Sequence, residues 1–297
     1  MYLLLGYLFA IITAACWTQN SIIYTFVGKR VGSSTVTHIR LWIAFPAAVI
    51  INLIFTGSIL PINFSTLSYI FIGSSGVFGF FIADLFIFKA FQHLGARKTM
   101  VIMTLSPIFA AVISWIVFTE ILSIIQILGI FITIAGVMIV IMVESRKSDE
   151  KSRPIWIIFA LTGALTQAIG MILAKAGLSE GIHPISANVV RIGSGLAGLA
   201  IYTLIRREFI TDFKKMEDKK SLYLLIAAAL VGPVFGMLLA LYAFSWAPVG
   251  IVTTLMQLTP ILLLPIDRFY LKKNIPTGAV WGTMIAVAGA GILFIAN

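Results

Sequence analysis

Ten runs of apolar residues, each close to twenty residues long, divide the chain. They cover 3–24, 36–55, 67–88, 99–118, 124–143, 155–175, 186–205, 222–243, 251–269 and 278–296, and are numbered segments 1 to 10. About 20 apolar residues in a helix cross a hydrocarbon core of about 30 Å. Inside lipid the backbone's polar groups must pair within one helix or around a closed barrel. Barrel strands alternate polar and apolar residues, whereas these runs are apolar throughout. The expected fold is an all-α integral membrane protein with ten transmembrane helices.

The composition leaves little else. Of 297 residues, 60% are hydrophobic and 11% charged. A soluble domain carries about 25% charged residues, and disorder needs low hydrophobicity. The net charge of +10 would suggest nucleic acid for a soluble chain. Here the basic residues, among them Lys29, Arg30, Arg97, Lys98, Arg146, Lys147, Arg206, Arg207, Lys219, Lys220, Arg268 and Lys272, follow segments 1, 3, 5, 7 and 9. Lys175 stands alone on the opposite side. Basic residues gather in cytoplasmic loops. The odd-numbered loops are therefore expected in the cytoplasm, both termini outside, in the plasma or inner membrane, with no nucleic-acid partner. Segment 1 has no Lys or Arg ahead of it and is long enough to span, so it is expected to be a mature helix rather than a signal.

The two halves repeat. Ser106-Pro107 in segment 4 matches Thr259-Pro260 in segment 9, an offset of 153 that also pairs Gly129 with Gly282, Gly136 with Gly289 and Ala90-Phe91 with Ala243-Phe244. Arg40 pairs with Arg191 at an offset of 151, and Phe9-Ala10 with Phe159-Ala160 at 150. The domains read as a first repeat over 1–143, a cytoplasmic linker over 144–154 (ESRKSDEKSRP) and a second repeat over 155–297. Each repeat holds five segments, an odd number, so the second enters the membrane from the opposite side. Inverted repeats of this kind build many secondary transporters, with substrate bound between the repeats near the midplane. Pro107 and Pro260 occupy equivalent places, where each removes a backbone donor and kinks its helix.

The stretch LSPIFAAVISWIVFTEILSIIQILGIFITIAGVMIV (105–140) resembles the signature L-x-P-V…L-G-E-x-L…Q-x-x-G…G-V of the drug/metabolite transporter superfamily, EamA type. Leu105, Pro107, Glu120, Gln126, Gly129, Gly136 and Val137 stand at matching places. In the second half Pro260, Gly282 and Gly289 match, while Lys273 replaces the acidic residue. Lys89 stands where the family commonly has a tyrosine, and Asp84 is outside the usual pattern. The resemblance covers nearly the whole chain twice. It implies ten helices in two EamA repeats and export or exchange of small metabolites, amino acids and related compounds being frequent substrates.

Ionisable groups inside a bilayer are costly and are the first functional candidates. Asp84 lies about 9 Å inside segment 3 from the cytoplasmic end, at about 1.5 Å per residue. Arg40 has a similar depth in segment 2, so the two are expected to face one cavity and to pair. Two roles are open: a buried structural ion pair, or a site in which Asp84 carries a coupling proton or meets a substrate ammonium group. Arg191, the repeat mate of Arg40, suits a substrate carboxylate through its planar fork; snorkelling to the interface is the competing role. The same choice applies to Lys89. Trp17 and Asn20 share a face of segment 1, and Gln167 matches the depth of Trp17 in segment 6. These three are expected to line the cavity, with helix–helix hydrogen bonding as the other role. Gln257, three residues before Pro260, is a further candidate. His38, His93 and His183 lack metal-ligand spacing and are expected at the interface. Cys16 is the one cysteine, so no cysteine-based metal site is possible.

Taken together, the sequence predicts a secondary transporter of small organic metabolites, an exporter working by alternating access, without a cofactor or metal. No nucleotide-binding loop, HExxH or GxSxG motif is present, so ATP on this chain does not drive it. A proton gradient or simple exchange remains. The rivals are a passive channel and an intramembrane enzyme; the latter needs clustered His, Asp or Glu near an interface, and no enzyme is expected. A complete inverted repeat in one chain makes a monomer sufficient.

Overall fold

The computed structural model describes residues 2–61, 64–118, 123–145, 154–247, 249–272 and 274–295. Among them there is helix and no strand. Six helical stretches are long and apolar enough to cross a membrane: Tyr2–Val31, Ser33–Thr56, Thr66–Leu94, Pro154–Ser179, Pro184–Ile205 and Lys219–Trp246. They carry segments 1, 2, 3, 6, 7 and 8, and the chain is a multi-pass membrane protein. Segments 5 and 10 form the helices Ile124–Ser145 and Thr277–Ile295. The linker residues 146–153, Glu120 and Lys273 lie outside the described residues.

Segments 4 and 9 are each broken in two. Ala96–Met103 is followed by Ser106–Phe118, and Val249–Met256 by Thr259–Pro265. The breaks, at residues 104–105 and 257–258, are 153 apart and stand just before Pro107 and Pro260. A proline has no N–H, and its ring crowds the carbonyl four residues back. The chain responds with tighter bonds: Leu105 N–H donates to Ile102 O at 3.0 Å and Leu258 N–H to Leu255 O at 3.2 Å.

A second matched irregularity has no sequence signal of its own. Segments 3 and 8 each widen into a π-helical turn, at Val77–Ile82 and Leu230–Gly236. Their first residues are again 153 apart. Such turns recur at functional sites. Pro46, by contrast, sits inside the unbroken helix Ser33–Thr56.

Two junctions are one residue long. Gly32 (φ 97°) joins segments 1 and 2, and Gly95 (φ 81°) joins segments 3 and 4. Both need the left-handed backbone that glycine adopts without penalty. Another short helix, Phe209–Lys214, lies in the connection between segments 7 and 8, where the sequence reading placed only loop.

The repeats interlock. Segment 2 packs on 7, segment 3 on 6 and 7, segment 1 on 8 and 9, and segment 5 on 10. In the last pair a Cβ at Gly136 would run into the Ala286 backbone, and one at Gly289 would stand 2.6 Å from Thr133 Oγ1. Small residues permit such approach where lipid supplies no hydrophobic drive. Segments 5 and 10 thus pair with each other, and the remaining segments surround the site.

Candidate functional site

A cavity of about 120 Å³ lies between the repeats. Trp17, Asn20, Arg40, Asp84, Gln167, Arg191 and Gln257 all line it. Segments 2 and 7 contribute through their arginines, beside segments 1, 3, 4, 6, 8 and 9; among the described residues none of segments 5 or 10 lines it. Lys89 is not among the lining residues. It is exposed, with Nζ 5.6 Å from the centroid of the Phe159 ring. Five residues past Asp84 correspond to a turn of about 140° around a helix, which points Lys89 away from the cavity. Gln19 faces a separate groove with Lys29 and Lys220.

Arg40 and Asp84 form an ion pair inside this cavity. Both are buried. The Arg40 guanidinium carbon lies 4.8 Å from the centroid of the Phe88 ring and 5.5 Å from those of Tyr24 and Phe80. A charge taken out of water needs such a partner, and face-on rings add to it.

Arg191 is placed differently. It is 1% exposed, its Nε lacks a hydrogen-bond partner, and no described residue forms an ion pair with it. Phe80 lies 5.5 Å from its guanidinium carbon. The repeat explains the lone charge. At the offset of 153 that joins segments 3 and 8, Asp84 corresponds to Met237, which lines the same cavity. Gly79 makes room here: a Cβ on it would stand 3.2 Å from Arg191 Nη2.

Three further polar atoms in the cavity wall are buried without partners: Asn20 Oδ1, Ser106 Oγ and Arg40 Nε, whose guanidinium reaches Asp84 through Nη2 instead. Asn20 Nδ2 donates to Tyr24 Oη at 3.2 Å, and Tyr24 Oη donates to Ala228 O at 3.3 Å. Thr259, the repeat mate of Ser106, is satisfied by Ala14 O at 3.2 Å. Sequence reasoning missed Tyr24, Phe80, Ser106 and Met237. Tyr24 stands four residues after Asn20 and so shares its face, and Met237 follows from carrying Asp84 across the repeat. Ser106 and Phe80 carry no such mark.

At the edge that holds the odd-numbered loops, three polar links join the repeats. Arg30 Nη2 meets Asp218 at 2.8 Å, and Arg97 Nε meets Asp267 at 3.1 Å. The third link centres on His38, which is fully buried rather than at the interface as its position suggested. Trp42 Nε1–H donates to His38 Nε2 at 2.9 Å. An indole nitrogen only donates, so Nε2 accepts and the proton sits on Nδ1, which donates to Asp212 Oδ2 at 3.1 Å. Thr35 Oγ1 donates to Asp212 Oδ1 at 2.6 Å. Burial pushes the Asp212 carboxyl up, but the hydrogen bonds from His38 and Thr35 and the Lys215 charge outweigh it, and the net shift is downward. Hydrogen bonds from Ser221 and Arg30 likewise hold Asp218 below the usual carboxylate range. Among the described residues no cluster of three His, Cys, Asp or Glu could hold a metal ion.

The EamA-like transporter family model matches this chain twice, over residues 4–142 and 154–295. The chain belongs to the EamA-like transporter family. The family is one of transporters, as its name states. An EamA-like cavity between two repeats is thus the natural candidate site. The uncharacterized transporter YyaM of Bacillus subtilis (strain 168) is 31% identical over 163 residues, 53% of this chain. The match spans about half of that relative, 52% of its length. A protein of known crystal structure superposes with a TM-score of 0.66 over 98% of this chain and 96% of its own, at 14% identity. That likeness shows a shared fold.

Proposed function

We propose that the chain is a ten-helix secondary transporter that exports small organic metabolites, amino acids or related compounds, across the cell membrane by alternating access. The observation that carries this reading is the cavity lined by both repeats, on which the broken segments 4 and 9 and the π-helical turns of segments 3 and 8 converge in matched pairs. Discontinuous helices around a midplane site are the usual construction of such carriers.

The repeats 1–143 and 155–297 rock against each other around the cavity. With the odd-numbered loops in the cytoplasm and both termini outside, the Arg30–Asp218, Arg97–Asp267 and His38–Asp212 links close the cytoplasmic edge and must open for substrate to enter. The cavity, about 120 Å³, is smaller than the ~300 Å³ of an ordinary ligand pocket, as suits a narrowed state. Trp17, Asn20, Gln167 and Gln257 line the path of the substrate, Arg191 meets its charge, and Pro107 and Pro260 hold the bends. Among the described residues Asp84 is the one acid lining the cavity, and it is the residue through which a proton would couple. The chain works as a monomer.

Extracellular metabolite profiling of cells overproducing the protein, beside cells with Asp84→Asn and Arg40→Ala versions, tests this. One compound class is expected to accumulate outside with the parent protein and not with the variants. Profiles matching the empty control, with the protein present in the membrane, contradict export.

A further inference from the structure

Given the transporter reading, and narrowing its substrate class to the compounds related to amino acids rather than the amino acids themselves, we propose that the cavity selects small organic carboxylates that carry no ammonium group, with Arg191 as the residue that binds the carboxylate. Selection then follows from the cavity's fixed charge. Arg40, Asp84 and Arg191 are the Arg, Lys, Asp and Glu side chains that line it. Arg40 and Asp84 neutralise each other as a pair. Arg191 is left with a full positive charge, 1% exposed and with no acid among the described residues to meet it. A buried unpaired charge is strongly unfavourable. A bound monoanion removes that penalty and brings the cavity to neutrality.

The repeat supplies an internal control. Arg40 and Arg191 are equivalent, yet the acid that serves Arg40 is replaced for Arg191 by Met237, the equivalent of Asp84. The counter-charge missing from the chain is the one a carboxylate supplies, and the planar guanidinium binds it through two parallel N–H bonds.

An ammonium group finds no comparable seat. Asp84 is already engaged by Arg40. Aromatic faces can hold cations, but Phe80 already faces both guanidinium groups and Tyr24 and Phe88 face that of Arg40. Trp17 and Phe91 also line the cavity, but a ring face without an acid holds an ammonium less strongly than a guanidinium fork holds a carboxylate. Trp17, Met171 and Met237 offer surface to an apolar body. The unpartnered Asn20 Oδ1 and Ser106 Oγ accommodate a neutral polar substituent such as a hydroxyl.

Matched probes of one shape separate the classes: 4-methylpentanoate, leucine and 3-methylbutylamine, with 3-phenylpropionate, phenylalanine and 2-phenylethylamine as a second set. Binding is read as the shift in thermal unfolding of the purified protein in detergent, and movement as counterflow in proteoliposomes. The carboxylates are expected to raise the unfolding midpoint, and the zwitterions and amines to bind at least about tenfold more weakly. Arg191→Gln is expected to abolish carboxylate binding. Met237→Asp keeps both arginines, gives Arg191 the acid its mate possesses, and is expected to abolish carboxylate binding as well while leaving the fold intact. Zwitterions binding as well as carboxylates, carboxylate binding unchanged in Met237→Asp, or no binding by any probe each overturns the proposal. Carboxylates that bind in the Arg191-dependent way but show no counterflow contradict the transport reading and leave the charge selection standing.

Discussion

Arg40 and Arg191, equivalent residues of the two repeats, hold their guanidinium carbons at the same distance, 5.5 Å, from the centroid of the Phe80 ring. One arginine has an acid and the other does not. The symmetry of the fold brings two cations to one aromatic ring, and a single departure from that symmetry, Asp84 against Met237, gives the cavity its net charge.

The Arg40–Asp84 pair is buried, so removing one partner strands the other. Asp84→Asn is expected to cost about 3–5 kcal/mol of stability, whereas replacing both residues together with apolar ones costs far less. Thermal unfolding of the single and double variants in detergent measures the difference. If folded Asp84→Asn protein transports with an unchanged pH dependence, Asp84 carries no coupling proton.

Gly232 packs directly on the Asn20 amide, so a Cβ there would run into Nδ2. The equivalent contact across the repeats joins Gly79 to Gly170, where a Cβ on Gly170 would stand 3.1 Å from Gly79 N. Gly232→Ala is expected to lose about 1–3 kcal/mol through overpacking. Adding Asn20→Gly, which removes the amide the new Cβ meets and supplies the glycine found at the equivalent position 170, is expected to restore most of it. Unfolding midpoints of the two variants decide; equal loss in both contradicts the packing argument.

Asp212 titrates below its ordinary value of 3.8 in the folded protein. The stability it contributes is therefore present above that ordinary value and disappears as pH falls through the lower folded value. Unfolding measured from about pH 6 down to pH 3 is expected to show an acid-dependent loss that is smaller in Asp212→Asn. Equal acid sensitivity of both proteins contradicts this.

Lys89 points away from the cavity over Phe159. Lys89→Ala is expected to leave transport within about twofold of the parent, an effect below the ~1 kcal/mol of an exposed charge contact. A larger loss in an export or counterflow assay contradicts the placement.

Much of this was legible in the sequence because lipid imposes it. The apolar lengths, the repeat offset, and the rarity of charges inside segments 2, 3 and 7 picked out Arg40, Asp84 and Arg191. Lys89, open in the sequence between cavity and interface, faces away from the cavity, a matter of angle around the helix that depth along it does not report. The π-helical turns at Val77–Ile82 and Leu230–Gly236 leave no periodic trace, since they add a residue to a turn without changing composition. His38 read as an interfacial residue because its partner, Asp212, sits on a six-residue helix too short to register against the long apolar runs.

Alternating access around the shared cavity is most directly tested by labelling from each side of the membrane. The native cysteine, Cys16, is buried, and replacing it with serine leaves a background for Ser106→Cys. A membrane-impermeant thiol reagent applied to right-side-out and inside-out vesicles is expected to reach the introduced cysteine from both faces. Asp267→Asn, which removes one cytoplasmic link, is expected to raise labelling from the cytoplasmic face and lower it from the outside. Labelling from one face only, or from both faces with no such reciprocal change, contradicts the account.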